Sequence, residues 1–149
     1  MRIRVLSKLL FVITVSFLLV GCATTGPKFT ELAPSISNLA PNMGRIYIYR
    51  TSVLGAAIQP QVNLNGEVIG KAVPKGFFFV DKKPGNYVIT TSTEVTRKLS
   101  LTLDKGQIRY VRLNVSLGFF VGHVYPELVE PQVAEKEIQD CRYIGEKSN

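Results

Sequence analysis

Residues 44–50 read GRIYIYR, and this stretch decides the class of fold. Ile46 and Ile48 alternate with Tyr47 and Tyr49, all four are β-formers, and Arg45 and Arg50 bound the run. A period of two over β-branched and aromatic residues predicts a strand. Downstream, QVNLNGEVIG (61–70) sets Val62 and Leu64 against Asn63, then places Asn65-Gly66 before Val68. An Asn-Gly pair between apolar runs supplies the positive φ values of a type I′ turn, so two adjacent antiparallel strands are predicted.

The same texture continues. GFFFV (76–80) leads through Lys83-Pro84-Gly85 to a strand over Tyr87–Thr91, and Leu99, Leu101 and Leu103 alternate with Ser100 and Thr102. Asp104-Lys105-Gly106 then reverses the chain into QIRYVRLNV (107–115). There the apolar phase slips between Tyr110 and Val111, which a bulge or cover on both faces would explain. After an apolar, glycine-containing segment, Pro131 to about Cys141 is helical by period, with proline in its first turn. Six or more short strands and one short helix predict a mainly β protein, a small antiparallel sandwich or barrel-like sheet with a C-terminal helix over residues 44–149.

Upstream of the domain the chain differs. Arg2, Arg4 and Lys8 precede an apolar run, Leu9–Val20, and Gly21-Cys22 follows it. This is the order of a secretory signal peptide, expected over residues 1–21. As a helix, the apolar run of roughly 12 residues reaches only about 18 Å, short of the about 30 Å hydrocarbon core. Residues 22–43, with three prolines and no sustained period, read as a tether with some residues against the domain. As a flexible coil, about 20 residues would hold the domain roughly 25 Å from its attachment point on average.

Leu19-Val20-Gly21-Cys22 closely resembles the lipobox of bacterial lipoproteins. That resemblance implies acylation of Cys22 and a stable membrane anchor, and Ala23 after the cysteine implies sorting to the outer membrane, facing the periplasm. GRIYIYR, VNLNGEVIG, FFFVDKKPGNYVIT, LSLTLDKGQIRYVRL and HVYPELV, in this order, resemble the bacterial lipoprotein family catalogued as domain of unknown function 2846. The run from the Asn-Gly turn to YVIT is also similar to PEGA and carboxypeptidase-regulatory domains, which implies a transthyretin-like or immunoglobulin-like sandwich used for binding or spacing.

The residues offer little chemistry. Three of the positive charges lie in residues 1–21, so the formal +7 falls to +4 without them. That surplus, on an exported chain, is no basis for nucleic-acid binding. His123 is the only histidine; it could serve as a base beside Ser116 or Ser52, but a lone histidine in an apolar strand is more often structural. One histidine and one cysteine besides Cys22 do not fill a zinc site, so no metal or cofactor is expected. Cys141 shares helical spacing with Ala134 and Ile138 and reads as a buried thiol, with a redox-active or intermolecular thiol as the other reading.

Two surface features remain. Consecutive Phe77, Phe78 and Phe79 must point to both faces of a strand, and Phe119 and Phe120 pose the same problem. Cover from within the chain is the simpler solution; a protein-docking face around Phe78 and Phe120 is the other. Lys82, Lys83, Arg97, Lys98, Arg109 and Arg112 offer cations, of which Arg109 and Arg112 are the candidate anion contacts. The expected function is therefore that of a non-enzymatic module in an envelope assembly, anchored through Cys22 and binding an envelope protein. Binding of an anionic envelope lipid or glycan is the alternative.

Overall fold

A computed structural model describes residues 24–116, 118 and 122–145. The expected signal peptide, Cys22 and Phe120 lie outside them. Strands β1 (Gly44–Tyr49), β4 (Gly76–Lys82), β7 (Ile108–Ser116), β8 (His123–Val129) and β9 (Arg142–Tyr143) form one sheet, ordered β8-β7-β1-β4-β9. Strands β2 (Gln61–Leu64), β3 (Glu67–Lys71), β5 (Gly85–Ser92) and β6 (Thr96–Leu103) form the other, ordered β3-β2-β5-β6. Two short helices, α1 (Phe29–Leu32) and α2 (Pro131–Glu137), flank them. The molecule is the mainly β sandwich with a short C-terminal helix that the sequence predicts.

Strand β1 is buried along its whole length because both of its faces are covered. Ile46 and Ile48 point between the sheets and pack with Val62, Leu64, Phe78, Ile89, Leu103, Val111 and Leu113. Tyr47 and Tyr49 point outward, into a second apolar layer with Phe77, Tyr110, Ala134, Ile138 and Cys141. That layer is closed by α2 and by Phe29, Leu32 and Ile36 of the N-terminal segment. The three phenylalanines thus divide as a strand requires, with Phe78 inside the sandwich and Phe77 and Phe79 outside under cover from the chain itself.

The same two-sided burial explains the phase slip in β7. Its pairing with β1 and β8 runs without a register shift through Tyr110 and Val111, so no bulge is present there. Tyr110 stacks on Tyr47 in the outer layer, with ring centroids 5.2 Å apart, while Val111 enters the inner core. The irregularity falls instead between Val62 and Asn63, in the β2–β3 pair. The turn between those strands is as predicted: Asn65 has φ 50° and Gly66 φ 88°.

Three features depart from a simple antiparallel reading. Asp104-Lys105-Gly106 joins strands of different sheets, since β6 pairs with β5 and β7 lies parallel to β1. Strand β9 also pairs in parallel, with β4. Finally, the expected tether is built onto the domain from Thr24 onward. Thr24 Oγ1 donates to the Pro74 carbonyl at 3.1 Å, Arg142 donates to the Gly26 carbonyl, and the Phe29 amide donates to the Cys141 carbonyl. Phe29 completes the attachment by meeting Tyr47 and Phe77 edge-on, at 5.7 and 5.3 Å between centroids.

Candidate functional site

The structure relocates most of the candidate contacts. Phe78 is 3% exposed, with its ring against Gly70, where an added Cβ would sit 2.7 Å from it. It is a core residue and offers no surface to a partner, which corrects its assignment as a docking residue. Arg109 and Arg112 do not converge either. Arg109 pairs with Ile46 in register and lies on the inner side, donating to the Thr102 carbonyl at 3.1 Å. Arg112 pairs with Tyr49 on the outer side. A separation of three residues along a strand puts them on opposite faces.

Arg112 is also already occupied. Its guanidinium bridges Glu137 of α2 and Glu127 of β8, the latter at 2.9 Å. Tyr49 donates to the other oxygen of Glu137 at 2.7 Å, and Asn114 donates to Glu127. The Arg112 and Asn114 hydrogen bonds hold the Glu127 carboxyl below its usual range. Two carboxylates on one guanidinium leave it no net attraction for an anion, so this cluster fastens α2 to the sheet.

Cys141 is buried, 1% exposed, with its thiol toward the Arg50 carbonyl at 3.7 Å. Burial pushes the thiol up to about 11, the condition of an unreactive cysteine. His123 stands opposite Ser116 in the β7–β8 ladder, and its Nδ1 meets the Thr93 hydroxyl at 3.2 Å. Among the described residues, no group of three His, Cys, Asp or Glu side chains could hold a metal ion.

Arg50 is the feature that sequence reading missed. Although it bounds a strand, it is fully buried and, among the described residues, has no carboxylate partner. Its guanidinium instead donates to five carbonyls: Ser52 at 3.2 Å, Leu54 at 2.6 Å, Gly55 at 3.0 Å, Ile58 at 2.7 Å and Ala72 at 2.7 Å. Four of these belong to the β1–β2 loop, which folds around the side chain. Desolvation lowers the arginine's pKa, and the ring of carbonyl dipoles is what keeps the charge tolerable there. The nearest sequence signal is a charge directly after the apolar and aromatic run Ile46–Tyr49, followed by sixteen residues without any charge.

That loop forms one wall of a cleft of about 670 Å³ at the end of the sandwich, lined by Thr24, Val53, Val73, Pro74, Lys75 and Arg142 among others. Val53 projects there, 62% exposed, and the next residue along the loop, Leu54, is 50% exposed. Lys28 also lines it, paired with Asp140 at 2.9 Å. A smaller cleft of about 380 Å³ gathers Arg97, Lys98, Ser116, Tyr125 and Pro126. Among the described residues no helix is long and apolar enough to cross a membrane.

Comparison with known proteins gives kinship without chemistry. An uncharacterized protein of Haemophilus influenzae is 29% identical over 131 residues, spanning 85% of this chain and 78% of that relative. Residues 40–124 match the family described as protein of unknown function DUF2846. The match runs from the approach to β1 through the start of β8 and takes in the paired strands that build both sheets, so the chain belongs to the DUF2846 family.

Proposed function

We propose that this chain is a bacterial lipoprotein, acylated on Cys22, held on the periplasmic face of the outer membrane. Its sandwich is a non-enzymatic binding or accessory module of an envelope assembly. The observation that carries this reading is Leu19-Val20-Gly21-Cys22, which closes an apolar run that follows a charged segment and is too short to span a bilayer. Similarity to PEGA and carboxypeptidase-regulatory sandwiches, which bind or space rather than catalyse, supports the module's role. Two or more acyl chains would make the attachment stable, at about 0.8 kcal/mol per buried methylene.

The test is the mass of the mature N-terminal peptide, with and without Cys22→Ser, followed by in-cell crosslinking of the lipidated protein. A lipid-modified Cys22 and one or two envelope proteins captured reproducibly support the reading; an unmodified Cys22 refutes the anchor. A second reading, recognition of an anionic lipid or glycan, is favoured by the Arg97–Lys98 cleft rather than by Arg109 and Arg112. It requires salt-sensitive binding that is lost when Arg97 and Lys98 are both changed to Gln.

A further inference from the structure

From the docked N-terminal segment and the shape of the β1–β2 loop, we infer that the end of the sandwich carrying Thr24, Val53 and Leu54 lies on the lipid bilayer itself, with Val53 and Leu54 in the headgroup region. The inference rests on acylation of Cys22. Thr24 is hydrogen-bonded to Pro74, and Gly26 and Pro27 are held by Arg142 and Tyr143. Only Ala23 separates Cys22 from this fixed segment, so two peptide steps, at most about 7 Å, separate the acylated residue from the domain. The headgroup layer on each side of the hydrocarbon is itself about 6 Å deep. The domain has no room to stand away from the surface, and the end bearing Thr24 is the one brought against it.

That end suits a membrane interface. Residues 51–60, TSVLGAAIQP, carry no charge; Val53 lines the cleft together with Thr24, and Leu54, next to it in the loop, is half exposed. Four carbonyl bonds from Arg50 within the loop, and a fifth that ties the same guanidinium to Ala72, fix the loop in this shape before any lipid is met, so presenting the two apolar side chains requires no ordering. Lys28, Lys75 and Arg142 surround the same cleft against one carboxylate, Asp140, a balance that favours anionic headgroups. The opposite end, with the Asp104-Lys105-Gly106 turn, would face away, because β6 runs from the one end to the other.

The chain contains no tryptophan, so a single introduced indole reports its own surroundings. Acylated Leu54→Trp, Val53→Trp and Lys105→Trp proteins are each reconstituted into phosphatidylethanolamine–phosphatidylglycerol vesicles, with and without brominated acyl chains. At positions 53 and 54 the emission shifts to the blue and brominated lipid quenches it, while position 105 keeps its solution spectrum. Equal quenching at 105, or no shift and no quenching at 53 and 54 in a protein that floats with the vesicles, overturns the orientation but leaves the anchor intact. A protein whose mass shows no acyl group overturns the anchor and the orientation with it.

Discussion

Replacing Arg50 by methionine tests the most unusual interaction in the fold. The substitution keeps much of the side chain's length and apolar stem but removes every donor. Of the five carbonyls released, the one at Ala72 is buried, and leaving it without a partner costs about 1–3 kcal/mol. The other four are partly buried and regain water once the loop relaxes, so each contributes about 0.5–1 kcal/mol net. Against this, the cost of keeping an unpaired guanidinium out of water disappears, which offsets part of the loss. The balance is a destabilisation of about 3 kcal/mol, or a fall of roughly 10 °C in Tm for a domain of this size. Urea unfolding followed by circular dichroism measures it, and amide hydrogen exchange should show residues 53–58 losing protection before the strands do. Arg50→Lys should recover only part of the loss, since three donors on a point charge cannot serve five carbonyls. An Arg50→Met protein within about 0.5 kcal/mol of the parent, with an unchanged loop, would refute the assignment.

Other residues give further expectations. Phe78→Ala should cost about 3–5 kcal/mol in chemical denaturation, because it empties the inter-sheet core. Gly66→Ala should cost about 1 kcal/mol through its φ of 88° alone, since an added Cβ there meets open space; a shifted denaturation midpoint at constant slope reads the effect. Glu127 has its pKa depressed by Arg112 and Asn114, so its contribution is present above the ordinary carboxyl range and is lost as pH falls through the depressed value. Acid unfolding of Glu127→Gln should therefore begin from lower stability and show a shallower dependence on pH, and high salt should narrow the difference. Cys141 should resist iodoacetamide in the native protein at neutral pH and be labelled fully in urea, as followed by mass; rapid native labelling would contradict its burial.

The sequence by itself determined the elements whose signals are local. Alternation in RIYIYR and LSLTL, the Asn65-Gly66 turn and the Ala134–Ile138–Cys141 face each depend on neighbours within a few residues, and each appears where the pattern puts it. Consecutive phenylalanines likewise announced that both faces of one strand needed cover, though not which residues supply it. Only the tertiary structure decided the pairing of distant segments. Period two tells which side chains share a face, but not that β7 lies parallel to β1, nor that the turn at 104–106 passes between sheets. For the same reason Arg109 and Arg112, close in sequence, serve opposite faces, and Arg112 meets acids 15 and 25 residues away. The proline-rich approach to the domain lacks periodicity because its order comes from Tyr47, Phe77, Cys141 and Arg142, contacts supplied across most of the chain. Arg50 shows the limit most plainly: a charge at the end of a strand is ordinarily a solvated boundary, and only a loop folded back to present its carbonyls makes it the buried centre of one end of the molecule.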